Sequence, residues 1–199
     1  MKVGKFVVAI LGEIRRSKID INPQDVESFV RKVFQIQSGE TPSDYEFRLV
    51  SGSDIRKYYL VTNSESETGG LGGSCMRYAN TQEYVKFYED WCKDSVKLLI
   101  YVNPITDKIV GRSLVWKTSK ETYMDRIYVT DNKYSDLFIS WGKKNNVDYF
   151  YEKREYDKIK GSIFCEGWRE NTKMPYMDTF KYGYVDRSGM WLSITTSIS

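Results

Sequence analysis

The sequence predicts an α+β domain with a largely antiparallel central sheet, N-terminal helices and one inserted helix. Helical periodicity dominates the first part of the chain, period-two alternation begins near residue 97, and one helical segment interrupts the later strands. A chain of 199 residues suits a single domain. We therefore expect one domain over 1–199, with a helical part over 1–45 and a mixed α+β core over 46–199.

Two helices are predicted before the strands begin. Asn22 can cap a helix over 23–37, Pro23 suits its first position, and apolar residues recur on one face. A second helix is predicted to begin near Asn80 or Thr81, with an apolar face of Tyr84, Phe87, Tyr88 and Trp91. The stretch 64–73 between them is rich in serine and glycine, which predicts a loop.

The remaining elements follow from the change of period. A buried strand is predicted over 96–102, and an antiparallel pair over 108–116 and 122–130, joined by a polar turn. The inserted helix is predicted over 132–144. Short strands are predicted over 148–151, 162–168 and 176–184.

Composition excludes several classes of function. The chain contains no histidine, which rules out a Ser-His-Asp triad, a Cys-His pair and an imidazole metal site. It also lacks a phosphate-binding G-x-x-x-x-G-K-[ST] loop and any metal-ligand spacing. We therefore assign no catalytic residue and expect neither a metal nor another cofactor.

Cysteine usage and hydropathy bear on the compartment. Cys75, Cys92 and Cys165 are odd in number and widely spaced, which favours a reducing environment over a disulfide scaffold. The apolar run over 6–11 is too short for a membrane span. We expect a protein of the cytoplasm that does not bind a membrane.

A cysteine among glycines is one candidate site. Cys75 follows the glycine-rich segment 69–73 and lies two residues before Arg77, which can lower the pKa of a thiol. The alternative is that Cys75 is a small buried hydrophobe, as free cysteines often are. Without a histidine to act as base, we predict that Cys75 is not a catalytic nucleophile.

Arginines within the predicted strand pair form the second candidate. Alternation places Arg112, Leu114 and Trp116 on one face of their strand. On the partner strand it places Met124, Arg126 and Tyr128 on one face, and Asp125 and Ile127 on the other.

Arginine in an apolar strand is costly to bury unless it is paired or faces a ligand. One interpretation is a structural ion pair between Arg112 and Asp125 or Asp178. The other is an anion site in which Arg77, Arg112 and Arg126 converge with Asp125, and Trp116 or Tyr128 stacks on the ligand.

Aromatic and basic residues also alternate over 149–160, a pattern that can stack nucleic-acid bases. Acidic residues in the same segment nearly cancel its charge, which favours a solvated strand edge. Nucleic acid is therefore the less favoured partner.

Several motifs carry a resemblance to a family of proteins of tailed phages and large DNA viruses. They are Gly52-x-Asp54-Ile55, Tyr58-Tyr59, Leu71-Gly72-x-Ser74-Cys75-Met76-Arg77, Gly111-Arg112-x-Leu114-Val115-Trp116, Met124-Asp125-Arg126-Ile127-Tyr128 and Pro175-Tyr176-Met177-Asp178-Thr179. The resemblance covers about 50–180. It implies a viral origin and no particular reaction.

The fold pattern resembles the core of GNAT acyltransferases. A strand through Val110-Gly111, a second strand through Ile127-Tyr128-Val129 and a following helix carry this resemblance. Those enzymes bind pyrophosphate through a glycine-rich loop before the helix, whereas the corresponding stretch 130–136 has no glycine and contains Asp131 and Asp136. We therefore expect no binding of acetyl-CoA.

Three functions follow as hypotheses. The first is a viral accessory protein in the host cytoplasm that binds a host protein, such as a defence component, or a small anionic ligand through the arginine surface. The second is an atypical acyl or nucleotidyl-group transferase that uses Cys75 or Asp125. The third is a virion or assembly protein. Oligomeric state does not follow from the sequence.

Overall fold

The computed structural model describes residues 44–92, 94–149, 161–166, 173–175, 182–185, 187 and 189–193. The chain divides into two compact units, residues 1–44 and 45–199, and nearly all described residues belong to the second. The predicted helix over 23–37 lies outside the described residues, as do 150–160 and Asp178. The single-domain prediction for 1–199 stays a prediction.

A six-stranded sheet forms the centre of the second unit. Its strands are β1 (Glu46–Val50), β2 (Val96–Val102), β3 (Ile109–Lys117), β4 (Thr122–Met124), β5 (Tyr128–Val129) and β6 (Asp148–Tyr149). The order is β1-β2-β3-β4-β6, and β5 also pairs with β3. All pairings are antiparallel except β4 with β6. The predicted strands over 96–102 and 108–116 are confirmed, as is the largely antiparallel sheet.

Short helices cover one face of this sheet, hereafter the cavity face. They are α1 (Ser53–Tyr59), α2 (Gly69–Gly73) and α3 (Gln82–Lys86), which continues as a π-helical turn over Phe87–Trp91. Phe87 and Tyr88 are buried as the periodicity predicts, but Tyr84 is exposed. Alternate residues of β2 such as Leu98 and Ile100 pack beneath these helices.

A single longer helix covers the opposite face, hereafter the α4 face. A 3-10 turn over Asn132–Tyr134 leads into α4 (Ser135–Lys144), which confirms the inserted helix. Phe138 is fully buried and packs with apolar residues of β2, β3 and β5. Leu137, on the same helix, is 40% exposed.

A second, three-stranded sheet completes the unit. It consists of β7 (Ile163–Glu166), β8 (Tyr182–Val185) and β9 (Gly189–Ser193) in the order β7-β9-β8, all antiparallel. Ile163, Cys165, Met190 and Leu192 join the core cluster of the cavity face. The described residues thus form an α+β fold with a mostly antiparallel sheet, as predicted.

Candidate functional site

Arg112 lies in the middle of β3, on the cavity face with Leu114 and Trp116, as alternation predicts. It is only 3% exposed. Its Nη1 donates hydrogen bonds to the carbonyl oxygens of Tyr58 at 3.0 Å and Tyr59 at 2.9 Å. These carbonyls belong to the last turn of α1, where no backbone N–H group of the helix can reach them. Arg112 therefore anchors the negative end of this helix to the sheet.

The charge of Arg112 is stabilised by neutral groups. Nη2 donates to Ser74 Oγ at 3.0 Å, and the guanidinium carbon lies 4.1 Å from the centroid of the Tyr59 ring. Burial lowers the pKa of Arg112, and Tyr59, Tyr128 and Tyr88 act in the opposite direction. In the described part of the chain, no carboxylate forms an ion pair with this guanidinium.

Two N–H donors of Arg112 are left without a partner among the described residues, one on Nε and one on Nη2. A guanidinium has five N–H donors, and the three hydrogen bonds above use both hydrogens of Nη1 and one of Nη2. The buried Nε has no hydrogen-bond partner among the described residues. Buried polar atoms are nearly always hydrogen-bonded, so an unused charged donor at this depth marks a site where a further group can bind.

Arg112 borders a small cavity of about 40 Å³, hereafter the Arg112 cavity. Aromatic and aliphatic side chains form much of its wall, and two arginines and a carboxylate supply the charges. Among the described residues, the lining consists of Tyr59, Ser74, Met76, Tyr88, Arg112, Ser113, Leu114, Asp125, Arg126 and Tyr128.

Asp125 is the carboxylate of the Arg112 cavity and is 8% exposed. Its Oδ2 accepts from the indole N–H of Trp116 at 3.3 Å, and its Oδ1 accepts from the backbone N–H of Arg126 at 2.7 Å. The proposed structural ion pair between Arg112 and Asp125 is therefore wrong. None of the hydrogen bonds that Arg112 makes in the described part of the chain reaches this carboxylate. Asp178, the other proposed partner, lies outside the described residues.

A register shift brings Asp125 and Arg126 to the same side. β3 pairs Val115 with Met124 but Arg112 with Tyr128, so one extra residue lies between β4 and β5. Such a bulge interrupts the alternation of side chains. The predicted continuous strand over 122–130, and the placement of Met124, Arg126 and Tyr128 on one face, are both wrong.

Because of this extra residue, Met124 and Ile127 pack on the α4 face. Asp125, Arg126 and Tyr128 line the Arg112 cavity on the other side. Arg126 is exposed, and its guanidinium carbon lies 5.1 Å from the centroid of the Tyr128 ring. Arg126 and Tyr128 thus border the cavity where it reaches solvent.

Arg77 does not join the other two arginines. Its Nη1 lies 3.7 Å from Glu67 Oε2, and its Nη2 donates to the Tyr78 hydroxyl at 2.6 Å. It is absent from the lining of the Arg112 cavity. The predicted convergence of three arginines is therefore correct for Arg112 and Arg126 and wrong for Arg77.

Trp116 is a core residue rather than a stacking platform. It is fully buried, and its ring meets the Tyr88 ring edge-on at 5.7 Å between centroids. The proposal that Trp116 stacks on a ligand is wrong, because no part of the indole is accessible. Tyr128, the alternative platform, is half-buried and lines the cavity.

Cys75 is an exposed free thiol at the start of a 3-10 turn over Cys75–Arg77. The interpretation of Cys75 as a buried hydrophobe is therefore wrong. The thiol is also absent from the lining of the Arg112 cavity. The glycines before it form α2 and pack on β5, where a Cβ on Gly69 would lie 2.5 Å from the Val129 carbonyl oxygen.

Sequence reasoning missed Ser74, Tyr59 and Tyr88 as neighbours of Arg112. Ser74 was visible only as the neighbour of Cys75, and Tyr59 as part of an aromatic pair. The signal that can find them is a buried cation, which requires acceptors and ring faces nearby. Their identity depends on contacts between segments that lie far apart in the chain, 38 residues for Ser74 and 53 for Tyr59, which no local pattern encodes.

The described residues also bear on metal binding and on membrane insertion. No group of three or more cysteine, aspartate or glutamate side chains within the described residues is arranged to hold a metal ion. None of the helices in the described ranges has the length and apolar character that a membrane crossing requires.

Comparisons with models of protein families, with curated proteins and with solved structures give no match to this chain. The viral and GNAT resemblances therefore stay predictions. The Arg112 cavity is the candidate functional site. It combines a buried cation that has unused donors with a second arginine and aromatic walls.

Proposed function

We propose that this protein acts by binding an anionic group in the Arg112 cavity, without catalysing a reaction. The observation that carries the proposal is the buried Arg112 guanidinium. Its Nε has no partner in the part of the chain that the structure describes, whereas its other nitrogens are fully or partly used. A buried charge without a counter-charge is unfavourable, and a bound anion supplies one. Arg126 can add a second positive charge.

The side chains around the cavity support binding over catalysis. Ser74 Oγ accepts from Arg112, and Ser113 Oγ donates to the backbone carbonyl of Asp125 at 2.7 Å. The Asp125 carboxylate accepts from the Trp116 indole and the Arg126 backbone N–H. None of these contacts pairs a nucleophile with a base, the arrangement that activates a hydroxyl.

The partner proposed for this site is a host protein or a small anionic ligand. The viral resemblance of the motifs supports an accessory role in the host cytoplasm, such as binding a component of host defence. On a protein partner, the anionic group is an aspartate, a glutamate or a terminal carboxylate. A virion or assembly role has no observation in its favour.

Acyl transfer on a GNAT-like fold is the second candidate. The order β5, α4 and β6, with β6 parallel to β4, supports it. The turn before α4 opposes it, because the Asp131 carboxylate already accepts from the Lys133 backbone N–H at 3.0 Å. A pyrophosphate group would have to displace this carboxylate from the helix N-terminus. We expect no micromolar affinity for acetyl-CoA by calorimetry.

Thermal unfolding in the presence of small anions tests the main proposal. Sodium acetate, phosphate and sulfate are titrated at constant ionic strength, and a saturable rise in Tm reports binding. We expect saturation in the wild type and its loss in Arg112→Met. Arg126→Ala should weaken binding while changing the free energy of unfolding by no more than about 0.5 kcal/mol, because Arg126 is exposed.

Arg77→Met is the matched control, since Arg77 lies outside the cavity lining, and we expect it to bind as the wild type does. Equal anion binding by wild type, Arg126→Ala and Arg112→Met would contradict the proposal. If Arg112→Met does not fold, Arg126→Ala is compared with Arg77→Met instead. Weaker anion binding in Arg126→Ala alone would support the proposal, and equal binding by the two variants would contradict it. Micromolar affinity for acetyl-CoA would support acyl transfer over anion binding as the function.

A further inference from the structure

We infer that the Arg112 cavity selects a planar organic carboxylate over phosphate or sulfate. This rests on the proposed function and names the class of ligand. Three properties of the cavity carry it: the arrangement of its free donors, the charges of its lining residues and its volume.

The free donors lie on adjacent nitrogens of one guanidinium. Both Nη1 hydrogens are bound by the carbonyls of Tyr58 and Tyr59, and one Nη2 hydrogen by Ser74. The remaining donors are Nε–H and the second Nη2–H. Two neighbouring N–H groups match the two oxygens of a carboxylate. A tetrahedral anion can accept from the same two donors, but its other oxygens find no further donor on this guanidinium, in a lining that includes the Tyr59 and Tyr88 rings.

The charges of the lining favour a monoanion. Asp125 contributes a negative charge to the lining, and it repels a phosphate or sulfate dianion more strongly than a carboxylate monoanion.

The volume of the cavity also favours a carboxylate over phosphate or sulfate. The cavity is small, at about 40 Å³, and this favours the smaller anionic group. A carboxylate group has three heavy atoms, whereas phosphate and sulfate have five. The rest of an organic ligand, or of a partner's side chain, then extends past Arg126 and Tyr128.

Competition between anions of different shape tests the inference. Acetate, benzoate, phosphate and sulfate are titrated into the wild-type chain by calorimetry at constant ionic strength. We expect the carboxylates to bind about tenfold more tightly than phosphate or sulfate, equivalent to about 1.4 kcal/mol. Asp125→Asn removes the negative charge and keeps an acceptor for one of the two donors, the Trp116 indole or the Arg126 backbone N–H, so phosphate should gain affinity relative to acetate.

The outcomes separate the two proposals. Phosphate or sulfate binding as tightly as acetate, with loss of binding in Arg126→Ala, would overturn the carboxylate inference and leave the anion site intact. Absence of saturable binding by every anion would overturn both. An unchanged ratio of acetate to phosphate affinity in folded Asp125→Asn would show that Asp125 does not contribute to the selectivity.

Discussion

The two faces of β3 are stabilised by different interactions. On the α4 face, Val110 and Val115 pack with the buried Phe138, and Gly111 allows the Phe138 ring so close that a Cβ would lie 2.6 Å from it. On the cavity face, two residues away, Arg112 connects β3 to α1 and Ser74 through hydrogen bonds. One strand thus presents an apolar packing surface on one side and a buried cation on the other.

The α4 face contributes to stability alone, whereas the cavity face contributes to stability and to the proposed binding site. The α4 face depends on close packing of aromatic rings, such as Phe47 with Phe138 at 5.0 Å and with Tyr101 at 4.5 Å between centroids. Substitution there should change stability without changing a binding site. The cavity face combines both roles, because the same guanidinium orders the backbone and presents a free donor.

The largest effect is expected on the α4 face. Phe138→Ala removes a fully buried ring and should lower the free energy of unfolding by about 3–5 kcal/mol. Leu137→Ala is the matched control on the exposed side of the same helix and should cost only about 0.5 kcal/mol. Denaturant titration measures both. Equal losses would mean that α4 does not pack as described, and anion affinity of folded Phe138→Ala should equal that of wild type.

The next effect concerns the backbone that covers the cavity face. Gly69 has a φ of +62°, and its Cβ would lie 2.5 Å from the Val129 carbonyl oxygen. Gly69→Ala should therefore destabilise the fold by about 1–3 kcal/mol. Gly73→Ala, at the other end of α2, meets nothing within 4 Å and should be neutral or slightly stabilising. A Tm of Gly69→Ala equal to that of Gly73→Ala would contradict the close approach of α2 to β5.

A smaller, pH-dependent effect is expected at the hairpin between β2 and β3. Burial raises the pKa of Asp107, but hydrogen bonds from Lys57 at 2.5 Å and Tyr58 at 2.7 Å outweigh it, so the pKa lies below its usual range. The ionised Asp107 carboxylate therefore stabilises the folded state. This stabilisation is fully present above the unfolded-state pKa of about 3.9 and is lost as pH falls through the folded-state pKa.

Asp107→Asn should therefore lose less stability than wild type on acidification below about pH 4. Because the Asp107 side chain is 42% exposed, solvent screening keeps the difference under about 1 kcal/mol. Denaturant titration at several pH values measures it. Asp136→Asn, at an exposed position of α4, is the control, and the same pH dependence in both variants would contradict the assignment to Asp107.

The smallest effect is expected at Cys75. Because the thiol is exposed and lies outside the cavity lining, Cys75→Ser should leave both Tm and anion affinity unchanged. A thiol reagent at neutral pH should label Cys75 in the folded protein, whereas Cys92 and Cys165 should react only after unfolding. Burial raises the pKa of the Cys92 thiol and slows its reaction further. Loss of anion binding after labelling of Cys75 would contradict this separation.

The amino-acid pattern alone determined three regular elements of the described unit. An apolar run interrupted only by Lys97 predicted β2, alternation predicted β3, and helical spacing predicted α4, because each pattern is local and has one dominant period. The same alternation correctly placed Arg112 on the face of Trp116. The absence of histidine likewise excluded whole classes of catalysis before any contact was known.

Only the tertiary structure decided how the site is assembled. The extra residue between β4 and β5 brings Asp125 and Arg126 to one cavity, and its position depends on pairing with β3 rather than on the residues of the bulge. The partners of Arg112 are carbonyls 53 and 54 positions away in the chain, and carbonyls have no signature in a sequence. A strand pattern predicts which residues are buried, but the groups that bind a buried charge are determined by the packing of distant segments.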